Sequence, residues 1–129
     1  MELLNPKHWR RAKGFSNGVV AEGRLICVAG QIGWNSEQQF ESDDFVVQVR
    51  QALANIVAVL AEAGAGPGRI MRLTWYVTDK NEYLARLGEV GKAYREVIGR
   101  HFPAMTLVQV AALLEDRAKV EIEAIAVVT

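Results

Sequence analysis

Residues 69–78 alternate with a period of two. Met71, Leu73, Trp75 and Val77 fall on one side, and Arg72, Thr74 and Tyr76 on the other. That is a strand with one face for a core and one face only half suited to water. Residues 119–128 repeat the pattern, with Val120, Ile122, Ala124 and Ala126 opposite Lys119, Glu121, Glu123 and Ile125. A sheet built from such strands needs an apolar cover on one side.

Two segments supply it. The first is a helix capped by Asp43 or Asp44 and running to about Ala63, with Val49, Ala52, Leu53, Ile56 and Leu60 at helical spacing. Gly64, Gly66, Pro67 and Gly68 stop it. The second is predicted from Glu82 to Gly99, capped within Asp79–Asn81, with Leu84, Leu87, Val90, Tyr94, Val97 and Ile98 as its buried stripe. Gly88 and Gly91 lie inside it, and each costs roughly 1 kcal/mol relative to alanine. Close packing or a ligand would need that space.

Further strands are expected at Val19–Glu22 and Arg24–Ile32, joined tightly at Gly23, and at Thr106–Leu113 after Pro103. The order predicts an α+β fold, a mixed β-sheet with two helices on one face. The uncovered, half-polar face is read as an oligomer interface with paired charges.

The 129 residues suit one domain spanning 1–129. Lys plus Arg equals Asp plus Glu, 15 each, which argues against broad attraction to nucleic acid. Arg10, Arg11 and Lys13 form the only basic cluster, read as a solvated approach to the first strand. Cys27 is the lone cysteine and is expected to be a small buried hydrophobe, in keeping with a reducing cytoplasm. Residues 1–10 hold no signal-peptide core, and no run is read as long enough to span a membrane, so a cytoplasmic location without a membrane partner is expected. His8 and His101 belong to no metal-ligand pattern, so no metal site is expected.

Several motifs occur in a telling order: Asn5-Pro6, Gly14-Phe15-Ser16-Asn17-Gly18, Ala29-Gly30-Gln31, the helix from Gln48 to Gly64, Val77-Thr78-Asp79, Pro103-Ala104-Met105, the strand from Leu107 to Leu113, and Glu121-Ile122-Glu123-Ala124-Ile125-Ala126. With these the chain resembles the RidA (YjgF/YER057c/UK114) family of imine and enamine deaminases. The resemblance implies a chorismate-mutase-like fold (bacillus type), a homotrimer forming an inner β-barrel, small-molecule sites in inter-subunit clefts, and no cofactor. It implies that Glu121 is the catalytic glutamate that positions water. The alternative for Glu121 is an ion pair with Arg72 or Lys119 across the subunit interface.

The substrate-binding positions carried over are Phe15, Ala29, Gly30, Gly88, Met105 and Leu107. Most depart from the family pattern. Met105 stands where active members carry the arginine that grips a carboxylate, and methionine cannot form that pair. Phe15 replaces a tyrosine, Ala29 a serine, Gly88 an asparagine and Gly91 a tyrosine. Thr106 and Leu107 replace a serine and a small polar or cysteine residue. Arg72 and Lys13 are the candidate replacement cations. The function expected is a hydrolase acting on a small imine or enamine other than the usual 2-imino acids. The alternatives are a non-catalytic trimeric binding module and, disfavoured by the neutral charge, a ribonuclease or translation inhibitor.

Overall fold

The computed structural model describes residues 1–129. Strands β1 (Glu2–Leu4) and β2 (Gly18–Val20) pair antiparallel as a small separate sheet. There follow β3 (Arg24–Ile32), α1 (Phe45–Glu62), β4 (Ile70–Val77), α2 (Lys80–Ala85), α3 (Leu87–Val97), β5 (Ala104–Gln109) and β6 (Val120–Val128). The main sheet has the order β3-β6-β4-β5. Only β4 and β5 run parallel, and α2 with α3 supplies the crossover that a parallel pair requires. The expected α+β mixed sheet is therefore present.

The predicted core of α1 is realised. Val49, Ala52, Leu53, Ile56 and Leu60 are all fully buried, and Asp44 is the N-cap, accepting from the Val47 N–H. Leu73, Trp75, Val77, Val120, Ile122, Ala124 and Ala126 bury the facing side of the sheet. The chain crosses from β3 to α1 closely, because Gly33 touches the helix: a Cβ there would lie 2.7 Å from the Gln48 Cα. Gln48 is the buried polar residue of this corner. Its Nε2 donates to Ser42 O and Arg117 O, and its Oε1 accepts from the Lys119 N–H.

Several expectations are corrected. The sheet is open, with β3 and β5 as its outer strands and only Ser16 bridging the start of β5, so the chain forms no inner β-barrel; closure would require those edges to pair. The helix expected over 82–99 is two helices meeting at Arg86, whose φ of −124° and ψ of 27° break the helical run. Arg86 is held there by Asp44 and Glu89, and Leu84 and Leu87 at the joint stay exposed instead of joining a stripe. Met71 is displaced from the core by a bulge in β4, and Ile70 is buried in its place. Strand β2 pairs with β1, not with β3. Strand β5 starts two residues before Thr106 and stops at Gln109, short of Leu113. Cys27 is exposed, because it alternates with buried Val28 and so faces out with Leu25 and Ala29. Helix α1 does reach the length and apolarity that could cross a membrane, yet its apolar stripe is the core of this fold.

Candidate active site

Local structure places the expected site residues in two separate groups. The first borders β5. Ser16 is buried; its Oγ donates to Phe102 O at 2.6 Å and its N–H to Pro103 O at 3.0 Å. These bonds pin the 13–17 segment alongside the start of β5. Lys13 and Phe15 thereby stand at a cavity of about 410 Å³, a size suited to a small metabolite. Met105 and Leu107, on the helix side of β5, form one wall. Val90 and Tyr94 from α3 form another, with Tyr83 from α2. Tyr94 stacks on Phe102, centroids 5.6 Å apart, and its hydroxyl donates to His101 O. Burial pushes that phenol well above its ordinary range, so it is a fixed donor and not a proton shuttle.

Trp75 lines the same cavity while remaining 4 % exposed, and its indole Nε1 is a buried polar atom with no hydrogen-bond partner. Arg95 also reaches the cavity, and sequence reasoning missed it. Its guanidinium lies back over Gly91, where a Cβ would come 3.2 Å from Nη1. The available signal was the i, i+4 spacing of a glycine and an arginine on one helix face. Arg95 takes part in none of the four ion pairs of the chain.

The second group lies at the other edge. A bulge in β3 between Val28 and Gln31 turns out Ala29 and Gly30, and Gln31 Nε2 donates back to Ala29 O at 3.0 Å. The Glu121 side chain rests on Gly30, with Oε2 2.3 Å from where a Cβ would be. Glu121 has no ion pair or hydrogen bond within the chain. Its neighbour Glu123 accepts from the Tyr76 hydroxyl at 2.8 Å. That bond raises the Tyr76 pKa, with desolvation and the charges of Glu123 and Glu121 adding to it.

The two groups are two strands apart, roughly 10 Å across the sheet, and on opposite faces. Within one chain they do not meet. Gly88 belongs to neither group: it is exposed, with open space around it, while its helix neighbours Leu87, Val90 and Gly91 reach the cavity. Arg72 is also set apart. It lies on the open face, its Nη2 3.4 Å from the Thr106 hydroxyl, and cannot reach the cavity beside Met105. Of the two cations expected as replacements, only Lys13 lines it.

The open mixed sheet with helices on one face is the architecture of the Rid class of proteins. The Endoribonuclease L-PSP family model matches residues 7–128, and the chain belongs to this family, the RidA/YjgF/UK114 family. Met105 makes it a divergent member without the carboxylate-binding arginine. It is 37% identical over 108 residues to the 2-iminobutanoate/2-iminopropanoate deaminase of Escherichia coli K12, covering 81% of this chain and 80% of that one. A RutC family protein of Pasteurella multocida is 36% identical over 105 residues, with 81% of each covered. Among solved structures, the Rid family protein YyfB from Yersinia pestis superposes with a TM-score of 0.88 at 32% identity, over 98% of both chains. The YjgF protein of E. coli gives 0.70 at 32% identity, over all of both. The architecture is thus that of the family's own mixed-sheet structures, and it replaces the chorismate-mutase-like fold expected from the resemblance.

Proposed function

We propose that this protein is a deaminase that hydrolyses the C=N bond of a small imine or enamine tautomer, with Glu121 as the group that positions and deprotonates water. The observation that carries this reading is the unpaired Glu121 carboxylate held against the bare backbone of Gly30. Water adds to the carbon of a protonated C=N, and Glu121 takes a proton from that water. The resulting carbinolamine collapses to a carbonyl as the proton passes to the leaving nitrogen, which departs as ammonia. The imine is already electrophilic, so a positioned water and one proton carrier suffice. The 2-iminobutanoate/2-iminopropanoate deaminase relatives support the reaction class.

The same reading calls for a second copy of the chain. Glu121 and Gly30 sit at the β3 side of the sheet, and the Met105 cavity sits at the β5 edge. A head-to-tail contact between unlike edges brings one group of each copy together and closes as a ring. We take that ring to be a trimer with three equivalent clefts. Leu25, 66 % exposed, with Cys27, Ile125 and Tyr76 on the uncovered sheet face, suits burial in such an assembly. The single-domain organisation, 1–129, belongs to the same proposal.

Ammonia release from a panel of freshly generated imines and enamines, aminomuconate-type ring-cleavage products included, tests the reaction. Turnover by the wild type that is lost in Glu121→Ala is the expected result. Full turnover by that variant, or none by the wild type on any member, overturns it; saturable binding in the cleft without turnover would identify a binding module instead.

A further inference from the structure

We propose that Arg95, folded back over Gly91, together with Lys13 grips the carboxylate of a ligand whose aromatic body fills the cavity. The proposal takes its site from the deaminase reading and adds the class of substrate.

Two independent features converge. Arg95 is a guanidinium with no partner in the chain, while the next residue, Glu96, is committed to Arg50. Its path along the helix passes over Gly91, where a Cβ would come 3.2 Å from Nη1 and the guanidinium would have to give by a few tenths of an ångström. A glycine in a helix interior carries an entropic cost, and here it lets the guanidinium lie close against the helix at the cavity. The planar fork of an arginine suits a carboxylate, and Lys13 adds a second charge at the same cavity. The cavity thus recovers, from a helix, the cation that β5 lacks at Met105.

The second feature is the lining. Phe15, Phe102, Tyr83, Met105 and Leu107 line about 410 Å³ with aromatic and aliphatic surface. A two- or three-carbon side chain would leave most of that surface unmatched. Trp75 adds its ring to the same lining, while its indole N–H is sealed off from solvent and takes no part in the grip. With the carboxylate at Arg95 the adjacent C=N stays on the cation side of the cavity, where the β3 edge of a neighbouring copy can bring its glutamate.

Isothermal titration with 4-hydroxyphenylpyruvate, the stable oxo-acid product of such a reaction, tests the grip without requiring turnover. Saturable binding is expected, weaker by on the order of tenfold or more in Arg95→Gln and for the uncharged methyl ester. Partial recovery is expected in Arg95→Lys, and no change in Lys92→Gln, on the same helix but outside the cavity. Equal binding of acid and ester, unaltered binding by Arg95→Gln, tighter binding of 2-oxobutanoate, or no binding at all overturns the proposal. The deaminase reading fails separately: the oxo acid would bind through Arg95 while the corresponding imine showed no ammonia release, or the same release with Glu121→Gln.

Discussion

The carboxylate of Glu121 and the backbone of Gly30 occupy adjoining space so closely that a Cβ on Gly30 would fall 2.3 Å from Oε2. Gly30 is not in the left-handed region, so alanine there brings no backbone strain. Gly30→Ala is therefore expected to melt near the wild-type temperature while pushing the carboxylate aside. Misplacing a water-positioning group by about 1 Å can cost on the order of a hundredfold in rate. Ammonia-release kinetics beside a thermal melt measure both, and undiminished turnover would separate Glu121 from the reaction.

Met105 occupies the wall where relatives of the resemblance carry a cation. Met105→Arg is expected to raise kcat/KM on 2-iminobutanoate by at least about tenfold, since a bidentate carboxylate pair is worth roughly 2–5 kcal/mol when truncated. Parallel assays of variant and wild type on this one substrate suffice. An absent gain would mean that the altered positions around Met105, among them Phe15 and Leu107, have removed more than the grip.

Gln48 is fully buried and closes three hydrogen bonds between α1, the loop before it and the approach to β6. Gln48→Leu keeps the volume and strands the Lys119 N–H and two carbonyls. Each orphaned buried group costs about 1–3 kcal/mol. Urea unfolding should show a loss of at least about 2 kcal/mol, with the slope unchanged.

Asp44 caps α1 and meets Arg86 at the α2–α3 joint, a distance of 2.6 Å. The Arg86 hydrogen bond, then the Val47 N–H, lowers its pKa below the ordinary aspartate value. A carboxylate lowered on folding adds stability above its unfolded pKa, near 3.9, and loses it as pH falls through the folded value. Asn is also a good N-cap, so Asp44→Asn isolates the charge. Its deficit relative to wild type, under about 1 kcal/mol for a pair this exposed, should be present at pH 7 and fade below about pH 4. Thermal melts across that range at low salt check it; a deficit constant with pH would assign the effect to shape alone.

Much of the fold was readable because the signals were local and periodic. The alternation in β4 and β6 and the stripe of α1 each follow from geometry within one element, and apart from Met71, displaced by the β4 bulge, their buried faces are as expected. Errors fell where a partner elsewhere in the chain decided the outcome. The break at Arg86 depends on Asp44, 42 residues away. The exposure of Cys27 depends on which face of β3 meets α1, and an apolar run does not say. The bulges in β3 and β4 shift register by interactions across strands.

The candidate site divides along the same line. The sequence alone determined that Glu121 shares a face with Glu123, that Met105 stands where an arginine is absent, and that Gly91 leaves space on a helix. Residue identity and period are sufficient for each of these. Only the tertiary structure decided that Met105 and Glu121 lie on opposite faces near opposite edges of an open sheet, that Gly88 points at nothing, and that Arg95 rather than Arg72 reaches the cavity beside Met105. Those are consequences of strand order and of helix placement over the sheet, which are set by the packing of distant apolar faces and carry no local signature.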